Sequence, residues 1–187
     1  GNLRECFTDD VYTFGADGSF SIDFQEATWI ENWQSGDTTS TGFCGPPTDA
    51  NGIGINPNGE FTYTASLPSE EGLYYVTDAE LKLNGVGAYI GVPKAYNGGE
   101  VADLTGNLLI DPSTITERRY SYRMLDENTL MVSMDWGGGY WITFLGRDGM
   151  SGGPQGESMA RISPEGAGSE MPITIFFDLS LGNQGLV

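Results

Sequence analysis

A chain of 187 residues is long enough for one domain with a full core, and its 26 acidic against 8 basic residues give a net charge of −18. That charge argues against nucleic acid, anionic membranes and polyanionic glycans such as alginate, and leaves neutral ligands open. Histidine is absent, which removes Ser-His-Asp and Cys-His triads, histidine acid–base chemistry and most zinc catalysis.

The first element signal is a hairpin. Tyr12-Thr13-Phe14 and Ser19–Phe24 alternate around Gly15-Ala16-Asp17-Gly18, with Phe20, Ile22 and Phe24 on one face. Next comes Ala27–Gln34, in which Trp29 and Trp33 are four apart and fall on one side whether the piece is extended or helical. Ser35–Asn58 is polar, rich in Gly, Pro, Thr and Asn, and reads as loop. Within it Asp49 to Glu60 partly matches a calcium loop, but Ile53 occupies position 5 and no amphipathic helices flank it. A structural calcium ion on this acidic surface is the only cofactor the pattern suggests, and its ligands stay unknown.

Phe61–Ala65 reads as a strand, and Tyr74–Leu83 carries the chain through another strand or two. Asn84–Glu100 carries glycines and a proline among tyrosines, a strand that enters a shaped surface loop. Lys94, Tyr96, Asn97 and Glu100 cluster there as donors, acceptors and a ring. Thr116–Leu125 and Thr129–Trp136 form the next hairpin. It runs into Leu130–Leu145, LMVSMDWGGGYWITFL, two strands folded back through Gly137, Gly138 and Gly139. Leu130, Val132, Met134 and Trp136 make one inward face. In the second arm Tyr140, Ile142 and Phe144 face one way and Trp141, Thr143 and Leu145 the other; the first set reads as the core face, and Trp141 looks outward or into a cleft. Gly146–Gly168 reads as connection, and Met171–Leu181 as a strand whose Ile173, Ile175, Phe177 and Leu179 alternate.

The expected fold is all-β, a jelly-roll-like antiparallel β-sandwich, with a lipocalin-like barrel as runner-up. The expected division is a module over 1–149, a connection over 150–170 and a strand from 171–187 that returns to it. Left free, that strand would expose rings and unpaired backbone. Cys6 and Cys44 are the only cysteines. They read as a disulfide in a secreted or cell-surface protein, against two buried thiols in a cytoplasmic one. Gly1-Asn2-Leu3 reads as a mature or trimmed end, and no run of about 18 apolar residues marks a membrane span.

Taken in order, ECFTDDVYTFGADGSF, TWIENWQ, CG, LNGVGAYIGVPKAYNGGE and DENTLMVSMDWGGGYWITFL form a set. Over about residues 5–146 that set resembles non-catalytic β-sandwich modules of Bacteroidetes-type polysaccharide-utilisation systems. Such modules occur in surface glycan-binding proteins and beside family 16 laminarinase-like enzymes. The resemblance implies binding of a neutral polysaccharide, with a laminarin-type β-1,3-glucan leading. It also implies a parent multidomain protein or an outer-membrane uptake complex as partner. The family 16 signature E-x-D-x-x-E is absent, since Asp23, Glu26 and Glu31 have other spacing.

Sugar binding needs flat rings for the apolar pyranose face and fixed polar groups for the hydroxyls. Trp33 and Trp141 rank first, then Trp29 and Trp136, with Lys94, Tyr96, Asn97 and Gln34 as polar or aromatic partners; Tyr140 ranks last because it falls on the core face. Two other classes stay open. A carboxylate-based glycoside hydrolase or lyase needs no histidine, and a structural subunit could dock through the tail.

Overall fold

The computed structural model describes residues 6, 10–36, 42–47, 56, 59–66, 79–126 and 128–147, and the backbone of 159–163, 166–167 and 174–178. The strands are β1 (Val11–Phe14), β2 (Ser19–Asp23), β3 (Thr28–Ile30), β4 (Phe43–Gly45), β5 (Phe61–Ala65), β6 (Glu80–Asn84), β7 (Ala95–Tyr96) and β8 (Gly99–Glu100). They continue as β9 (Glu117–Asp126), β10 (Thr129–Asp135), β11 (Tyr140–Arg147), β12 (Met159–Ser163), β13 (Gly166–Ala167) and β14 (Thr174–Asp178). One helical turn, α1 (Asn32–Ser35), follows β3. No helix among the described residues is long and apolar enough to cross a membrane.

The protein is therefore all-β, built on one curled, mainly antiparallel sheet in the order β10-β9-β6-β5-β2-β1-β14-β11-β12-β13. Because β10 also pairs with β11, the eight strands from β10 to β11 in that order close into a ring. The wall encloses the main hydrophobic core. β14 runs parallel to both its neighbours, β1 and β11, so it bridges the β1–β2 and β10–β11 hairpins.

Alternation sets the inward face, as a half-buried strand requires. Tyr12 and Phe14 pair with Ile22 and Phe20, and Leu81 and Leu83 pair with Tyr120 and Arg118. The β1–β2 turn forms as its Asp-Gly sequence predicts: Asp17 accepts from Ser19 N at 3.0 Å, and Gly18 takes φ +85°. The cysteines are joined, with Cα atoms 5.8 Å apart, and link the N-terminal segment to β4 beside Trp29.

Ala88–Ala95 corrects the reading of a surface loop. Tyr89, Ile90, Val92 and Ala95 are buried, and the segment plugs the ring. Irregular backbone can be buried only if its polar groups find partners. Here side chains from the wall supply them. Tyr120 Oη accepts from Ile90 N at 2.9 Å and Tyr12 Oη from Gly91 N at 3.1 Å. Arg118 donates to the carbonyls of Ala88, Pro93 and Ala95 at 2.9, 3.0 and 3.1 Å. Among the described residues this segment packs into the main core inside the wall.

Candidate functional site

The outer faces of β6, β9 and β10 carry the site. Ser121 is paired with both Glu80 and Ser133, so two serines meet at neighbouring positions. Small side chains side by side leave a dent in a sheet surface whose other outward residues are long. The β9–β10 ladder stops at Ser121↔Ser133, although β6–β9 pairing runs on to Glu117 and β10–β11 pairing to Asp135↔Tyr140. Past that point β10 parts from β9.

The tip of the β7–β8 hairpin fills the parting. Asn97 and Gly98 take φ +36° and +93°, the left-handed pair that a two-residue hairpin turn demands and that Asn-Gly supplies. Asn97 then stands in for a strand: its Nδ2 donates to Glu117 O at 2.9 Å and its Oδ1 accepts from Arg119 N at 2.8 Å. Gly98 N donates to Asp135 O at 2.9 Å. Gly137 lies so close that a Cβ there would stand 2.5 Å from Gly98 O.

The result is a groove of about 610 Å³. Ser121 and Ser133 lie at its floor, and Glu80, Glu117, Arg119, Asp135, Asn97 and Tyr140 line it. Glu117 pairs with Arg119 (Nε–Oε1 2.6 Å) and with Lys82 at 3.4 Å. The Arg119 hydrogen bond first, and Lys82 after it, hold the Glu117 carboxyl below its ordinary value. Asp135 is oriented by accepting from Gly137 N at 2.7 Å. The arrangement offers acceptors, donors and one ring edge or face, suited to a polyhydroxy ligand. A carboxyl held ionised is the opposite of a general acid, which needs a raised value.

Of the residues singled out from the sequence, Asn97 and Tyr140, the aromatic ranked last, line this groove, and the others do not. Trp141 is 5% exposed and sits in the main core with Trp29, and Trp33 is equally covered. The Trp141 correction has one cause. The turn spans Trp136–Gly139, four residues rather than three, so Asp135 faces Tyr140 and Met134 faces Trp141. A one-residue change in register sends every side chain of β11 to the opposite face. Tyr140, expected inside, is half-buried at the groove.

Trp29 and Trp33 part company because the chain changes from strand to helix between them. Trp29 joins the main core, and Trp33 packs with Val101, Ala102 and Ile115 in a second cluster. Gln34 is buried, with Oε1 accepting from Glu31 N at 2.9 Å to close the helical turn. Trp136 is half-buried against the main core and Tyr96 against the second cluster. Lys94 pairs with Glu100 at 3.5 Å, each side chain only 13% exposed. Trp29, Trp33, Trp141 and Gln34 are thus buried, while Trp136 and Tyr96 keep part of their surface exposed away from the groove lining.

The sequence signal for the real groove was the polar outward set of the hairpin strands: Glu117, Arg119 and Ser121 on one, Ser133 and Asp135 on the other. Among the described residues no group of three or more His, Cys, Asp or Glu could hold a metal ion. The calcium-loop pattern from Asp49 to Glu60 lies mostly outside the described residues. Comparison of the chain with protein-family models, with curated proteins and with solved structures gives no match.

Proposed function

We propose that the chain is a non-catalytic glycan-binding module that takes a neutral polysaccharide, a laminarin-type β-1,3-glucan first, along the groove over β6, β9 and β10. The observation that carries the reading is the groove itself. Donors and acceptors carried on the sheet flank a serine floor, and Tyr140 is part of the same lining. Carboxylates such as Asp135 and Glu80 accept from vicinal hydroxyls, Arg119 and Asn97 donate, and Tyr140 covers an apolar sugar face. A chain of net charge −18 repels uronates and sulfated chains, so selectivity for neutral glycans follows from long-range electrostatics. The Cys6–Cys44 bond suits an oxidising compartment, and we place the protein outside the cytoplasm.

Affinity electrophoresis and calorimetry with laminarin, mixed-linkage glucan and alginate test this. Laminarin should bind with Kd on the order of 1 μM to 1 mM, and alginate should not bind. Tyr140→Ala should weaken laminarin binding about tenfold, the worth of one ring's buried apolar face. The absence of retardation by either glucan would sink the proposal, as would an unchanged Kd for Tyr140→Ala.

One observation favours a second reading, carboxylate-based hydrolysis: Glu80 and Asp135 line the same groove. Reducing ends released from laminarin, and lost in Glu80→Gln, would replace binding by catalysis.

A further inference from the structure

Among the described residues five large apolar side chains are exposed, and three of them crowd into six positions: Leu104 at 81%, Leu108 at 43% and Leu109 at 64%. They sit on the turn that follows β8. The turn is stapled rather than loose. Asp103 Oδ1 accepts from Thr105 N, Thr105 Oγ1 and Asn107 N at 2.8, 2.7 and 3.0 Å, and its Oδ2 accepts from Asn107 Nδ2 at 3.0 Å. Asp103 N donates to Asn107 O at 2.9 Å and Leu109 N to Val101 O at 2.8 Å. Ala102 and Leu108 form an isolated bridge. At the base Val101 and Ala102 are buried in the cluster with Trp33, and Gly106 lies against the Asn32 side chain.

A polar residue at position 104 or 109 would cost the turn nothing, since neither leucine reaches either core. Leucines held outward on a prefixed turn lose little freedom on docking, which is how a small contact becomes a strong one. Charge identifies the occupant. Asp103 and Asp111 flank the leucines, and hydrogen bonds inside their own turns hold both carboxyls below the ordinary value. A second copy would set these charges against their equals and −18 against −18. An anionic bilayer repels them as well.

We infer that the Leu104–Leu108–Leu109 turn is a docking finger for another protein, one with an apolar pocket rimmed by lysine or arginine. The inference is independent of the glycan reading, because the finger contributes nothing to the groove.

The test is site-directed photocrosslinking of the full chain in the cells that make it, with benzoylphenylalanine in place of Leu104. Ser21, exposed on β2, is the control position. The expected result is one discrete heterotypic adduct from position 104 and none from position 21. Mass spectrometry should map it to a partner segment containing basic residues. Leu109→Ser in the crosslinking chain should cut adduct yield about tenfold or more, what the burial of one leucine is worth. Salt at 0.5 M should reduce it further. Circular dichroism melting checks that each variant folds. An adduct with a second copy or with lipid overturns the inference. So does one mapped to a segment without basic residues, one indifferent to Leu109→Ser, or no adduct at all.

Discussion

Replacing Arg118 by methionine should be among the most destabilising single changes in this protein. Arg118 is 3% exposed, and its guanidinium lies 5.9 Å from the Tyr89 ring centre and donates to the carbonyls of Ala88, Pro93 and Ala95. Burial alone pushes its pKa down. Two effects oppose each other in Arg118→Met. Removing a buried cation relieves a desolvation penalty of several kcal/mol, and methionine fills much of the volume. Against that, three core carbonyls lose their donors at about 1–3 kcal/mol each. Two of them, on Ala88 and Pro93, belong to irregular backbone that has no ladder to retreat into, so the loss wins and about 3–5 kcal/mol of stability should go.

For a chain of this length that lowers Tm by about 6–20 °C. Thermal melts and urea midpoints measure it. Amide exchange at Ile90 and Gly91, bonded to Tyr120 and Tyr12, reports whether the plug itself has loosened. Arg118→Lys should fall between, because one ammonium cannot span three carbonyls in this geometry. A loss below about 1 kcal/mol in Arg118→Met, with exchange at Ile90 unchanged, would refute the plug argument, since some buried ions are replaced at no cost.

Reduction of Cys6–Cys44, which closes a separation of 38 residues, should cost about 4 kcal/mol by loop-closure entropy, read as a lower urea midpoint in dithiothreitol; an unmoved midpoint contradicts it. Gly137→Ala puts a Cβ at φ +90° and 2.5 Å from Gly98 O, so the hairpin tip must withdraw. The cost should be about 1–3 kcal/mol, with faster amide exchange at Gly98 and weaker laminarin binding; unchanged exchange at Gly98 counts against the wedge. On the alkaline side, burial raises Tyr120 from 10.0 to about 12. Its contribution, on the order of 2–3 kcal/mol, is whole below pH 10 and lost as pH rises through about 12, so a flat urea-midpoint profile across that window would be inconsistent. On the acid side Asp17, Asp103 and Asp111 are lowered from 3.8 chiefly by hydrogen bonds from Ser19, Asn107 and Ser113. Stability should hold above about pH 4 and fall below it, less steeply in Asp103→Asn.

What could be read from the sequence was local in origin. The β1–β2 hairpin needs only alternation of Tyr12, Phe14, Phe20 and Ile22 and an Asp-Gly turn, all within thirteen residues. The inward face of β10 is legible in the same way. The plug was not, because glycine and proline between Gly85 and Pro93 look like surface punctuation. What buries them is Tyr12, 79 residues from Gly91, and Arg118, up to 30 residues from the carbonyls it holds.

The groove hid behind a finer ambiguity. LMVSMDWGGGYWITFL names two strands and a glycine turn under any reading, but not whether the turn takes three residues or four. With three, Trp136 faces Tyr140, and Tyr140, Ile142 and Phe144 enter the core. With four, Asp135 faces Tyr140, the core receives Trp141, Thr143 and Leu145, and Tyr140 stands outside. Alternation cannot choose, since both sets contain bulky residues. The choice is made at a distance. Gly91 packs where its Cβ would meet Thr143 Oγ1 at 2.5 Å, a fit that needs Thr143 inward. Gly98 presses on Gly137 from the other side and draws Asp135 O into its hydrogen bond. The buried segment and the hairpin that follows it thus fix the parity of β11 from both faces. That parity places Tyr140 beside Ser133 and Asp135 on the outer face, and the aromatic residue that reads as core lines the groove instead.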